Sequence, residues 1–154
     1  MAENRMYEIE GARLKFKNFS GEARKYNAEG DRNFNVVIDH EFADQLKNDG
    51  FSIRERVIDE EYDEVEYLLK VKVSYRIRPP KIVVVSRTGK RNFTENMIDE
   101  LDYSEITEAD LVFRGVPWPE RVGRSGMTAY LDEMYVVLRE RRFEEKYADV
   151  PDLQ

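Results

Sequence analysis

The clearest pattern along the chain is an alternation of apolar and polar residues between Val65 and Ile77. The apolar positions are Tyr67, Leu69, Val71, Val73 and Tyr75, and the intervening polar positions are Lys70, Lys72, Ser74 and Arg76. Period two is typical of a strand with one face in the core and the other in solvent. The pattern therefore predicts a long strand, which Pro79 and Pro80 follow and break.

Shorter patterns predict further strands, with turns rich in Gly, Asn and charged residues between them. These strands span residues 6–19, 33–39, 51–58, 81–86, 110–113 and 127–138. The alternation shifts near Gly11 and again near Glu133, which predicts a bulge in each of those strands.

Two segments have helical spacing. The first runs from His40 to Asn48, with Asp39 as the N-cap and Gly50 as the stop, and the second runs from Thr94 to Leu101 with Thr94 as its cap. Neither helix lies between strands in a repeating βαβ order. The chain is therefore predicted to be mainly β, an antiparallel barrel with one or two short helices, with an α+β sandwich as the alternative.

Composition narrows the possible chemistry. The 154 residues include no Cys and one His, His40. Disulfide frameworks, zinc ribbons, iron–sulfur sites, thiol nucleophiles and sites that need two imidazoles are therefore excluded. No nucleotide-binding glycine motif is present, and we predict no enzyme activity, no catalytic residue, no metal site and no cofactor. The longest apolar run, Ile82 to Val85, is too short to cross a membrane, and the N-terminus lacks the apolar segment of a signal peptide. A soluble, cytoplasmic protein is expected.

Charge is segregated along the chain. The net charge is −7, from 25 Lys and Arg against 32 Asp and Glu. Lys70 to Phe93 nevertheless carries eight bases and no acid, whereas Thr94 to Asp110 carries seven acids and no base. Such blocks predict a basic face that binds an anion, unless they interleave in three dimensions and cancel.

Basic residues near aromatic ones are typical of proteins that bind single-stranded nucleic acid. The residues predicted to contact phosphates are Lys70, Lys72, Arg76, Arg78, Lys81, Arg87, Lys90 and Arg91. The predicted rim of the groove consists of Arg24, Lys25 and Arg32, and the predicted base-stacking residues are Tyr26 and Trp118, for which core packing is the alternative. Phe34 leads an apolar strand and is predicted to be core, whereas Phe16 and Phe19 are undecided.

Two acidic segments have their own interpretations. The run Asp59 to Glu64 could hold Mg²⁺ in a nuclease, but consecutive positions on a turn diverge, so a solvated turn is favoured. The C-terminal residues 141–154 are predicted to be an acidic tail after a single domain at 1–140. Such a tail could cover an empty basic groove and recruit partner proteins, or it could be a frayed terminus.

Several stretches resemble a family of small tailed-bacteriophage proteins. They are Asn18 to Gly21, Lys25 to Phe34, Pro79 to Ile82, Met127 to Leu131 and Glu145 to Pro151. The family is similar to phage single-stranded DNA (ssDNA) binding proteins with an OB-type barrel. The resemblance implies non-catalytic, sequence-independent ssDNA binding in a phage replication or recombination module, in the cytoplasm of an infected bacterium.

The resemblance transfers no individual site residue. It is compatible with self-association and with replication or recombination proteins as partners of the tail. The alternative is a virion or host-interaction protein whose basic face docks an acidic partner.

Overall fold

The computed structural model describes residues 5–25, 27–76, 78–118, 125–139 and 146–153. Its strands are β1 (Arg5–Ala12), β2 (Leu14–Asn18), β3 (Arg32–Ile38), β4 (Arg54–Asp59), β5 (Glu64–Val73), β6 (Lys81–Ser86), β7 (Gly89–Phe93), β8 (Ile106–Pro117) and β9 (Met127–Leu138). Helix α1 spans His40–Asp49, and a 3₁₀ turn spans Ile98–Asp102. None of the described helices is long and apolar enough to pass through a membrane.

All nine described strands belong to one mixed sheet. Its main path is β1-β8-β9-β5-β3-β2, with β4 paired to β5, β6 paired to β9, and β7 paired to β6. Strand β9 runs parallel to both β5 and β6, and every other described pair is antiparallel. The prediction of a mainly β protein is confirmed, but the prediction of an all-antiparallel sheet is wrong. One side of β9 pairs first with β5 and then with β6, and both approach it in the same direction.

The predicted closed barrel is also wrong, because the sheet is open. Strands β1 and β2 lie at opposite ends of the sheet path, although only Arg13 separates them in the chain. Each pairs with a different neighbour, β1 with β8 and β2 with β3, so no ladder between β1 and β2 closes the described part of the sheet. The backbone carbonyl of Arg13 accepts a hydrogen bond from the Val37 amide at 3.0 Å, which ties this crossing to β3.

One face of the sheet forms the core. Phe34 pairs with Val71 and Val36 with Leu69 across β3 and β5, and all four side chains are buried. Phe34 is therefore a core residue, as predicted, and its ring stacks on Phe19 at 5.3 Å between ring centroids. Stacked and edge-on aromatic contacts of this kind stabilise a core beyond the area that they bury.

Helix α1 has the predicted caps. The Asp39 carboxylate accepts a hydrogen bond from the Phe42 amide at 2.7 Å, and Gly50 ends the helix with a φ of 109°. The predicted helix from Thr94 is wrong. Only the 3₁₀ turn at Ile98–Asp102 forms there, because tertiary contacts determine this segment: Ile98 and Leu101 are buried.

The bulges near Gly11 and Glu133 are confirmed by register shifts in β1 and β9. The observed strand boundaries differ from the predicted ones in several places. The segment 6–19 divides into β1 and β2, β5 ends at Val73, and β4 begins at Arg54. Strand β8 has twelve residues where only 110–113 were predicted, and β7 was not predicted. Strand β7 contains one apolar side chain, Phe93, and β8 carries charged residues among its apolar ones, so neither shows a clear apolar alternation.

Candidate nucleic-acid interface

The surface of the sheet opposite the core, here called the outer face, carries the strongest alternation of the sequence. Residues that pair across antiparallel strands point to the same side, and Asn33 pairs with Lys72 and Asn35 with Lys70. The basic side chains of β5 therefore stand beside the amides of β3. The predicted segregation of Lys70 and Lys72 from the apolar side of β5 is confirmed.

The outer face continues onto β9 and β8. Lys72 pairs with Tyr130, and Tyr130 pairs with Arg114 on the far side of β9. The Arg114 guanidinium lies over the Tyr130 ring at 5.4 Å from its centroid and donates a hydrogen bond to Asp132 at 2.9 Å. This arginine is 8% exposed, so the contacts hold a largely buried cation against a ring at the surface.

A cavity of about 610 Å³ opens on this part of the outer face. Its basic lining residues are Arg32, Lys72, Arg76 and Arg114, its acidic ones are Glu29, Asp31 and Glu95, and its rings are Tyr75 and Tyr130. Such a mixed lining offers donors for phosphate oxygens and acceptors for the amino groups of bases.

Tyr75 contributes a buried hydroxyl to this cavity. That hydroxyl has no hydrogen-bond partner among the described residues. Burial raises the pKa of Tyr75 above its ordinary value, so the group stays protonated and able to donate. The Arg32 guanidinium lies 5.7 Å from the centroid of the Tyr75 ring and donates to Glu95 at 2.9 Å. Because an unpaired buried polar group is costly, a ligand in the cavity would gain by bonding to it.

A second cavity, of about 510 Å³, lies where β2, β3, β4 and β5 meet. Its basic lining residues are Arg24, Lys25, Arg54 and Lys70, and its amide and aromatic lining includes Asn33, Asn35 and Phe16. Four cations and one exposed ring thus line the same cavity.

Phe16 is held in an unusual way. Its φ of 51° is in the left-handed region, which β-strand residues other than glycine rarely adopt. The ring is 45% exposed and lies 5.6 Å from the Arg54 guanidinium and 5.2 Å from that of Arg56. Backbone strain that displays an aromatic ring between two cations is typical of a functional site.

A buried carboxylate organises the cations around Phe16. Glu66 accepts two hydrogen bonds from Lys15, at 2.9 and 2.7 Å, and one from Arg56 at 3.2 Å. The hydrogen bonds from Lys15 are the main reason that the pKa of Glu66 lies below its ordinary value. Glu66 therefore stays ionised and anchors Arg56 over the ring.

The structure brings together six of the predicted site residues. Arg32, Lys72 and Arg76 line the first cavity, and Arg24, Lys25 and Lys70 line the second. Tyr26 lies outside the described residues.

Three further predicted residues lie elsewhere on or beside the sheet. Arg78 is 3.5 Å from Asp132, beside Arg114, and Lys81 lies over the Tyr135 ring at 5.8 Å. Trp118 is 46% exposed and donates from its indole nitrogen to Thr128 at 2.6 Å.

The remaining three predicted cations are on the β6–β7 hairpin. Arg87 lies in its turn, and Lys90 and Arg91 lie on β7, outside both cavities. Val85 of this hairpin pairs with Val137 of β9. The stretch of β9 from Tyr130, at the first cavity, to Val137, beside the hairpin, spans about 23 Å at roughly 3.3 Å per residue. This length separates the hairpin cations from the first cavity.

The residues that sequence reasoning did not include are Phe16, Arg54, Arg56, Tyr75, Arg114 and Tyr130. Arg54 and Arg56 were not selected because the segment 54–66 also contains seven acidic residues, so its net charge is negative. Arg114 belongs to a strand whose length was underestimated, and nothing in the sequence marks the φ of Phe16.

The acidic run Asp59 to Glu64 forms the turn between β4 and β5. The Asp59 side chain accepts hydrogen bonds from the amides of Glu61 and Tyr62, at 3.0 and 3.4 Å. Within the described ranges, no group of three or more His, Asp or Glu side chains is arranged to hold a metal ion. The described tail residues, 146–153, are exposed.

Comparison with known proteins agrees with this geometry. A family model described as "Putative phage ssDNA-binding domain" matches residues 2–154. The solved structure of the ssDNA-binding protein from bacteriophage Enc34 is similar, with a TM-score of 0.54 and 14% identity, over 96% of this chain and 90% of that chain. The same protein solved in complex with ssDNA gives a TM-score of 0.52 and 13% identity, over 90% and 89% of the two chains.

No curated protein matches the chain significantly. The structural similarity, at low sequence identity, shows a shared fold. Because the family model spans nearly the whole sequence, the chain belongs to the phage ssDNA-binding domain family.

Proposed function

We propose that this chain is a non-catalytic, largely sequence-independent ssDNA-binding protein of a phage replication or recombination module, acting in the cytoplasm of the infected bacterium. The observation that carries the proposal is the outer face. It places two cation-lined cavities, the exposed Phe16 ring and the partly buried Tyr130 ring on one continuous sheet surface.

The cations would bind phosphates. Lys70 and Lys72 stand two residues apart on β5, at the boundary between the two cavities. Arg54 and Arg24 extend the positive surface on one side, and Arg76 extends it on the other. Contacts of this kind depend on the charge of the backbone and not on the base, so they support binding without sequence preference.

The rings would stack bases. Phe16, Tyr130 and Trp118 are spread over the outer face, and a base in a single strand exposes the flat surface that stacks on such rings. In a duplex both surfaces of each base are covered by neighbouring pairs. Tyr26 remains a proposed stacking residue, because its neighbours Arg24, Lys25 and Asn27 line the second cavity.

Of the other predicted cations, Arg78 and Lys81 remain proposed phosphate contacts for a strand that extends beyond the cavities. Phosphate contacts by Arg87, Lys90 and Arg91, on the β6–β7 hairpin outside both cavities, stay predictions that the proposed interface does not require. The tail at 141–154 is proposed to recruit replication or recombination proteins. The exposure of residues 146–153 supports its availability to a partner.

The test is a titration with fluorescent poly-dT and with a duplex of matched length, at two salt concentrations, with and without Mg²⁺. The proposal expects tight binding to poly-dT that weakens with salt, and weaker binding to the duplex. Absence of binding to either DNA at low salt would contradict it and favour the docking of an acidic protein partner. Shortened DNA that appears only with Mg²⁺ would show a nuclease.

A further inference from the structure

Two hairpins extend toward opposite ends of the molecule. Strands β5 and β6 both run parallel to β9, with Val71 aligned to Ala129 and Lys81 to Glu133. The β4–β5 turn comes before β5, whereas the β6–β7 turn comes after β6. The two turns therefore lie at opposite ends of the β9 axis and do not meet within one molecule.

The β4–β5 turn, here called the acidic tip, combines charge with exposed apolar surface. Residues 59–64 carry five carboxylates and no base. Four large side chains around them are exposed: Val57, Ile58, Tyr62 and Val65, and the Tyr62 side chain is 76% exposed. A solvated turn needs only the charges, so this adjacent apolar surface is the feature that points to a partner.

The β6–β7 hairpin, here called the basic tip, has the opposite charge. Residues 86–92 carry three bases and no acid, and Lys90 and Arg91 are exposed. Strand β7 pairs only with β6 among the described strands, so its outer edge is open. Arginine stems cover apolar surface well, and a guanidinium binds the face of a ring such as Tyr62.

We infer that the acidic tip of one molecule docks on the basic tip of a second copy of this chain. Opposite charge on two exposed hairpin turns selects this occupant, because both halves of the contact are on the same protein. The contact is head-to-tail, and such contacts generate open chains of molecules. This inference rests on the proposed function in one respect, since an open chain of copies would cover a long DNA strand cooperatively.

The experiment uses two reversed variants of the full chain. The first is Glu60→Lys with Glu61→Lys and Glu64→Lys, which changes the acidic tip from five acids to three bases and two acids, so that both tips are basic. The second is Lys90→Glu with Arg91→Glu, which leaves one base and two acids on the basic tip, so that both tips are acidic. The control, Asp99→Lys with Glu100→Lys and Glu105→Lys, changes the net charge as the first variant does, but at exposed positions in and just after the 3₁₀ turn. Each protein is titrated with a short dT oligonucleotide that accommodates one copy, and with long poly-dT.

Wild-type protein and the control are expected to bind long poly-dT roughly tenfold or more tightly per copy than the short oligonucleotide. Each reversed variant alone should lose this gain. An equimolar mixture of the two should regain it, because the basic tips of one variant then face the acidic tips of the other. A merely damaged surface would not recover on mixing.

The outcomes separate this inference from the proposed function. Failure of the wild type to bind the short oligonucleotide would overturn DNA binding itself. Normal short-oligonucleotide binding with no gain on poly-dT, or with no recovery in the mixture, would overturn only the docking of the tips. Loss of short-oligonucleotide binding in the Lys90→Glu, Arg91→Glu variant would show that Lys90 and Arg91 contact the DNA. That result would also overturn the docking of the tips.

Discussion

Phe16 adopts a backbone conformation that a phenylalanine rarely takes, and its ring lies between the guanidinium groups of Arg54 and Arg56. A ring held in this way keeps one surface available for stacking. The sequence could not reveal it, because a positive φ arises from the bulged pairing of β2 with β3 and leaves no mark in the pattern of apolar residues. Lys70 and Lys72, in contrast, could be predicted because strict alternation placed them away from the core.

Replacing Phe16 with Ala should weaken ssDNA binding without unfolding the protein. Loss of one stacked base costs about 1–3 kcal/mol, or roughly five- to hundredfold in the dissociation constant. Binding of labelled dT measures the effect. Phe16→Gly relieves the backbone strain and should bind as weakly as Phe16→Ala, whereas Tyr103→Ala, which removes an exposed ring that lines neither cavity, should bind as the wild type does. Full affinity in both Phe16 variants would exclude stacking there.

Replacing Glu66 with Gln should lower the free energy of unfolding at pH 7 by about 1–2 kcal/mol, because charge-assisted hydrogen bonds to Lys15 and Arg56 are lost. Folding lowers the pKa of Glu66 below 4.5, so the stabilisation is complete above that pH and is lost as the pH falls through the folded pKa. Urea unfolding at several pH values should show the two proteins converging in acid. A constant difference would contradict this role.

Among the elements, strand β5 places Lys70 and Lys72 on the outer face, away from the core, and Arg76 follows the strand at the first cavity. Reversing Lys70, Lys72 and Arg76 to Glu should therefore abolish ssDNA binding and leave the circular dichroism spectrum unchanged. Arg139→Glu with Lys146→Glu serves as the control, since both residues are exposed and line neither cavity. Retained affinity in the triple variant would show that the DNA binds another face.

Helix α1 tests stability separately from binding. Asp39→Ala removes the side chain that accepts from the Phe42 amide, and loss of such a cap costs about 1 kcal/mol of unfolding free energy. Urea unfolding should shift accordingly while dT binding stays at the wild-type value. A loss of affinity in this variant would mean that the helix affects the outer face.

The elements differ in how much of them the sequence predicted. Helix α1 could be predicted to within a residue because its caps are local. Strand β8 could not, since residues 106–109, which precede the predicted segment, include only two apolar side chains, Ile106 and Ala109. Its length depends on pairing with β9 and β1, which lie far away in the chain.

For the whole molecule, the net charge of −7 does not describe the surface that would meet DNA. If four to six of the cations release counterions, with about 0.7 for each phosphate, the logarithm of the affinity should fall with that of salt at a slope near −3 to −4. Fluorescence titrations at several salt concentrations measure it. A slope near zero would show that the outer face binds without phosphate contacts.

At this scale the sequence correctly predicted a mainly β fold, but the closed barrel that it also predicted is wrong. Local alternation identifies strands, whereas the open sheet follows from the end strands, because β1 pairs with β8 and β2 with β3 and neither pairs with the other. The same limit applies to the site. The cations of β5 could be predicted, but the meeting of Arg114 and Tyr130 with Lys72 depends on three strands from distant parts of the chain.

The crossing at Arg13 has a consequence for folding kinetics. Strand β1 precedes the crossing and pairs with β8, so Arg5 finds Gly115 across nearly the whole sequence. Strand β2 needs only β3, which follows it closely. Non-local pairings form slowly because a long loop has to close first. During synthesis β1 leaves the ribosome first but cannot pair until β8 has also been synthesised. Its docking on β8 is therefore expected to be a late event of folding.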